Sequence, residues 1–144
     1  MSPLIDLNRT GDILTLSNVF LPVTNMPSIQ FTPIKDEVCV MLTGSGFCNS
    51  SFNPLFADYN VCFRVRKSIN GGPLTTVGGT DTRVQFVSGC EWSCAFSKRS
   101  EVPIGSIVKY CVEYQTIPIL ILVFDPVVKF FDSNCHHLTL TIFE

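Results

Sequence analysis

Seven cysteines and two adjacent histidines carry the most varied chemistry in this 144-residue chain: Cys39, Cys48, Cys62, Cys90, Cys94, Cys111 and Cys135, with His136 and His137. A thiol nucleophile needs an imidazole within hydrogen-bond reach of its sulfur and a third group to orient the ring. No local signature of a cysteine hydrolase surrounds any of the seven. A zinc site would draw on Cys90, Cys94 and Cys135-His136-His137, which hold enough thiolate and imidazole for tetrahedral coordination. The spacing argues against it, because residues four apart on a strand are separated by about 13 Å. Cys90 could share a metal with Cys94 only from a turn. The residues therefore predict no metal, no cofactor and no catalytic group. An odd cysteine count without a signal peptide favours free thiols used as small core or half-buried residues. Late oxidation of some pairs, on exposure outside a cell, stays open, and the spacing does not choose a pairing.

Other candidates are weaker. Asp36-Glu37, Asp81, Asp125 and Asp132 are scattered turn acids, with no carboxylate-rich loop for calcium. Gly71-Gly72 and Gly78-Gly79 do not precede a helix, so they do not read as a phosphate cradle. Trp92, Tyr110 and Tyr114 could stack a sugar ring, but aromatics at strand spacing more often pack inward. Asn8-Arg9-Thr10 and Asn49-Ser50-Ser51 match the glycosylation sequon, which without secretion carries no weight.

The elements that must position these residues are strands. In Val61 to Gly79, VCFRVRKSINGGPLTTVGG, Val61, Phe63 and Val65 alternate with Cys62, Arg64 and Arg66, a two-residue period that separates an apolar face from a solvated cationic one. Asn70-Gly71-Gly72-Pro73 stops that strand and turns the chain into a hairpin. Before it, Gly11–Phe20 reads as a first strand, SIQFTPI as an edge piece ended by Pro33, and EVCVMLTGSGF as a central strand ended or bulged at Gly44 and Gly46. The greasy loop Cys48–Asn60 is expected to be pinned down, with a short helical turn at Pro54–Tyr59. After the hairpin, Thr82–Ser88 and CEWSCAFSK form another antiparallel pair. SIVKYCVEYQ alternates most cleanly, with Val108, Tyr110, Val112 and Tyr114 on one face. Ile119–Phe124 reads as a separate buried strand between Pro118 and Pro126, and HHLTLTIFE as a terminal strand with Leu138, Leu140 and Ile142 inward. Eight to ten short strands without a long amphipathic helix predict an all-β, antiparallel two-sheet β-sandwich, a jelly roll, over a single domain 1–144.

Composition narrows the function. Charged residues are 15% and hydrophobic ones 46%, so a large apolar surface must be hidden inside the fold or between subunits. A net charge of -2 with dispersed cations argues against nucleic acid. The most apolar run is too short for a membrane helix. MSPLIDLNRT lacks the regions of a signal peptide, which predicts synthesis in the cytoplasm.

Four segments, FTPIKDEVCVMLTGSGF, VCFRVRKSINGGPLTTVGGTDT, WSCAFSKRSEVPIGSIVKYCVEYQ and HHLTLTIFE, together resemble a β-module of tailed-bacteriophage structural proteins, similar to the trimeric jelly rolls of the tumour-necrosis-factor and complement-head type. The resemblance covers most of the chain after Ile29 and rests on strand and turn signatures. It implies a non-enzymatic virion protein: a capsid decoration, head-fibre or tail-appendage subunit made in the host cytoplasm. It also implies a homotrimer with Tyr110, Tyr114 and Phe143 at the seam, and residues 1–28 as a first strand and N-terminal arm touching a neighbouring subunit. The partners it implies are a capsid or tail protein and a host surface glycan. The alternative is a glycan- or ligand-binding β-sandwich module.

Overall fold

A computed structural model describes residues 3–9, 18–23, 26, 28–50, 57–86, 90–121, 128–129 and 137–144. Its elements are β1 (Pro3–Arg9), β2 (Leu21–Pro22), β3 (Ile29–Phe31), β4 (Glu37–Ser50), β5 (Ala57–Ile69), β6 (Thr75–Phe86), β7 (Cys90–Glu101), β8 (Val108–Ile121), β9 (Val128–Lys129) and β10 (His137–Phe143). No helix occurs among the described residues. The strands form two antiparallel sheets. Sheet A has the order β1-β10-β4-β7, with β9 on the end of β4, and sheet B has the order β2-β8-β5-β6, with β3 also on β8. The pairs β1 with β10, β2 and β3 with β8, β4 with β7, and β5 with β6 make the chain one long antiparallel hairpin wrapped into two facing sheets. That order is the jelly roll.

The alternation in sequence becomes the core. Val38, Val40 and Leu42 of β4, Leu138, Leu140 and Ile142 of β10, and Trp92 of β7 meet Val61, Phe63 and Val65 of β5 and Val108, Tyr110, Val112 and Tyr114 of β8. Phe63 stacks on Trp92 with ring centroids 5.6 Å apart, joining the sheets at mid-sandwich. The hairpin between β5 and β6 turns on Asn70 (φ 51°) and Gly71 (φ 72°), with the Gly72 amide donating to the Ile69 carbonyl at 2.9 Å. Two consecutive positive φ values match the right-handed strand twist, which is why Asn-Gly stands there. The Asn70 side chain also accepts from the Ile107 amide at 2.8 Å, tying this turn to the start of β8.

Several expectations need correction, the first being the pairing of Thr82–Ser88 with CEWSCAFSK: β6 pairs with β5 in sheet B and β7 with β4 in sheet A. The first strand is Pro3–Arg9, paired along β10. The expected strand Gly11–Phe20 falls partly outside the described residues, and Asn18 to Phe20 form a bend and coil. β4 does not end at Gly44 or Gly46 but runs to Ser50, because β7 pairs with it as far as Cys48. Of the expected helical turn, residues 54–56 lie outside the described set, and Ala57 to Tyr59 open β5, held on both sides by β6 and β8. Gly78-Gly79 lies inside β6 and does not interrupt it. The register passes from Val65–Gly78 to Arg66–Thr76, so Val77 is the extra residue of a bulge. Pro118 likewise lies within β8, opposite Tyr59, where a register shift leaves Ile119 unmatched. The bulge absorbs the donor that proline lacks, so Ile119–Ile121 continues β8 and forms no separate strand. Residues 122–127 are outside the described set.

Candidate functional site

The two outer faces of the sandwich differ in charge. On sheet B, β5 presents Cys62, Arg64 and Arg66, β8 presents Lys109, Cys111, Glu113 and Gln115, and β6 adds Asp81 and Arg83. Arg64 Nε lies 2.7 Å and Arg66 Nε 3.7 Å from Glu113 Oε1. Arg66 also donates to Thr76 Oγ1 at 3.1 Å and to the Leu74 carbonyl at 3.2 Å. The Arg64 guanidinium lies 3.6 Å from the centre of the Phe20 ring, and Gln115 donates to the Asn18 carbonyl at 2.7 Å. Together they fasten the segment leading into β2 across this face.

Sheet A is different. From the Cys39 row to the Ser45 row, β4 presents Cys39, Met41, Thr43 and Ser45, β10 presents Thr139, Thr141 and Phe143, and β7 presents Ser93, Ala95, Ser97 and Arg99. Arg99 is the one charged side chain among these; in the same rows the register sets His137 opposite Ser45 and, on β1, Asp6 opposite Thr141. Arg99 stands at the end of the face, 3.5 Å from Glu37. Low charge together with Met41 and Phe143 fits the core of an interface, whereas the serines and the alanine are residue types that interfaces hold less often than other surface does.

A third group lies between the sheets at one end. Tyr110 donates to Ser100 Oγ at 2.7 Å, and the Lys67 ammonium donates to Ser100 Oγ at 3.2 Å and to the Glu101 carbonyl at 2.8 Å. An open depression of about 610 Å³ lies over it, lined by Asp36, Glu37, Lys67, Ile69, Glu101, Val102 and Pro103. A serine beside a lysine and a tyrosine resembles a nucleophile with its base, but Ser100 is 4% exposed, so no substrate carbonyl reaches Oγ. The trio works as a polar clamp joining β5 and β8 to β7. Tyr110→Phe is expected to cost about 1 kcal/mol, read from the urea midpoint, because it removes one net hydrogen bond while Lys67 still holds Ser100. Sequence reasoning missed the clamp. The two-residue period that gives Arg64 and Arg66 to the solvated face places position 67 on the same side as Val61, Phe63 and Val65, and Lys67 there meets Ser100 and Glu101.

The predicted seam residues fall in two places. Tyr110 and Tyr114 are 0% and 2% exposed, inside the core of a single chain, so neither has surface left for a neighbour. Phe143 is half-buried at the end of β10, on the charge-poor face of sheet A, in the same row as Cys39 and Arg99. Trp92 joins the two tyrosines in the core, so these three form no sugar platform. Among the described residues no cluster of His, Cys, Asp and Glu could hold a metal ion. Cys94 is half-buried within β7, and Cys135 and His136 lie outside the described residues.

Three thiols, Cys62, Cys94 and Cys111, are held in the protonated form. The Cys62 thiol donates to Asp81 Oδ1 at 2.6 Å. Its pKa is pushed up to about 12, first by burial and then by the hydrogen bond to Asp81 and its charge. Burial also raises Cys94, opposed by the Thr80 hydroxyl, and raises Tyr110, opposed by Ser100. Cys111 is raised by burial and by Glu113, opposed by Lys109, Arg66 and Arg64. Acids whose folded pKa is raised stabilise the fold fully below their unfolded pKa, about 8.5 for cysteine and 10 for tyrosine, and lose that contribution as pH climbs to the folded value. The melting temperature is therefore expected to stay flat through neutral pH and to fall above pH ~9. Asp81→Asn should speed alkylation of Cys62 by iodoacetamide at pH ~8, since a larger fraction is then thiolate.

A scan of protein-family models gives no match to this chain, and neither does a search of the curated proteins.

Proposed function

We propose that this chain is a non-enzymatic structural subunit of a virion, a capsid-decoration, head-fibre or tail-appendage protein that associates with copies of itself as a homotrimer. The observation that carries self-association is the charge-poor outer face of β10, β4 and β7, with Arg99 at its end and Asp6 of β1 at its side, set against the ion-paired outer face of sheet B. A trimer needs a heterologous contact that closes into a ring, and a flat face of small side chains can meet an edge or face of the next copy without burying unpaired charge. The jelly-roll order supports the virion reading by analogy, since it recurs in viral capsid domains, and the segment resemblance supports it independently. Attachment to a capsid or tail protein, or to a host surface glycan, then belongs to the loops at the ends of the sandwich.

The test places charge on the face. Ala95→Glu with Ser97→Glu, both at exposed positions of β7, should leave the melting transition cooperative and reduce the solution mass from a multiple of the chain to a single chain. A wild-type chain that is monomeric and whose melting temperature rises with added saccharide would overturn the reading in favour of a glycan-binding module.

A further inference from the structure

The β4–β7 ladder closes on Cys48 opposite Cys90. Directly opposed residues of antiparallel strands share a face, and their Cα atoms lie about 4.5 or 5.5 Å apart depending on which kind of pair they form. Both spacings fall within the roughly 4.4–6.8 Å over which a disulfide closes without backbone movement. We propose that Cys48 and Cys90 are joined by a disulfide when the chain meets an oxidising environment, locking the end of this ladder.

The register gives the other described cysteines no such partner. Cys39 faces Arg99 and Phe143, Cys62 faces Asp81 and Gln115, Cys94 faces Gly44, and Cys111 faces Arg66. Those four are free thiols. Past Cys48 the strand continues, with Asn49 and Ser50 paired to Lys129 and Val128, so Cys48 is held in the sheet and is not part of a loop. The oxidant is a small disulfide such as glutathione disulfide. One cysteine thiolate attacks it and releases one glutathione thiol. The second cysteine thiolate then attacks the mixed disulfide and releases the other, so two electrons pass to glutathione disulfide and two glutathione thiols leave. The bridge encloses β5 and β6 and restricts the unfolded chain accordingly.

The test uses the full chain, incubated with glutathione disulfide, blocked with iodoacetamide and digested without reduction. Mass spectrometry should find one cross-linked peptide pair carrying Cys48 and Cys90, and an intact mass lower by two hydrogens. The melting temperature should exceed that of the reduced chain by about 10 °C. Cys48→Ser should abolish the cross-link and the melting shift while Cys39, Cys62, Cys94 and Cys111 are alkylated as before. The unsubstituted chain is itself a sufficient readout if that variant folds poorly. A bridge between any other pair overturns the assignment, as does alkylated or glutathione-capped Cys48 and Cys90 with no bond between them.

Discussion

Phe63→Ala is expected to remove about 3–5 kcal/mol of stability, a large part of the roughly 5–15 kcal/mol that holds a domain together. The side chain is 1% exposed and stacks on Trp92 across the sandwich. Its strand neighbours, Thr80 on β6 and Tyr114 on β8, are backbone-paired to it, so the sheet cannot collapse into the space it leaves. Equilibrium urea unfolding checks this through the midpoint at unchanged slope. Phe63→Leu keeps most of the volume and should cost less than about 1.5 kcal/mol. Arg64→Ala, one residue on and facing the partly exposed ion pair with Glu113, should cost about 1 kcal/mol or less. Equal losses at positions 63 and 64 would contradict the inward and outward assignment of β5.

Gly79→Ala is expected to destabilise by about 1–3 kcal/mol, with no compensating substitution that restores it. A Cβ at Gly79 would run into the Phe63 carbonyl oxygen and sit 3.1 Å from Arg64 Cα, so the backbone of β5 itself must yield. Gly78 is the informative contrast. A Cβ there would lie 2.5 Å from Cε2 of Phe96, at the outer edge of a half-buried ring on β7. Gly78→Ala should therefore be rescued in large part by Phe96→Leu, whereas Gly79→Ala with the same second substitution should not. The measurement is a double-mutant cycle from urea midpoints. A coupling energy near zero at Gly78 and Phe96 would refute the packing of β6 on β7.

Where alternation was clean, as in β5, β8 and β10, sequence placed the inward residues correctly, because a half-buried strand must repeat its burial every two residues. It failed where a residue type was asked to break a strand that tertiary pairing then carried through. Gly44, Gly46 and Pro118 all lie inside strands, held by neighbours on the ladder or absorbed by a bulge. The candidate surface was less legible. Tyr110 and Tyr114 were assigned to a seam, but nothing in a strand's alternation says whether its apolar side meets the other sheet or another chain. The charge-poor face of sheet A is visible only once β10, β4 and β7 are set side by side, since each contributes only a few alternate residues from distant parts of the chain. The opposition of Cys48 and Cys90 is likewise a property of register, which spacing does not contain.

The central claim is that the charge-poor face of β10, β4 and β7 is covered by another copy of this chain. Sedimentation equilibrium of the wild-type protein over a dilution series measures that directly. The account predicts a mass near three times the 16.0 kDa of one chain, held on dilution and reduced to a single chain by Ala95→Glu with Ser97→Glu. A wild-type mass of 16.0 kDa at every concentration would contradict it.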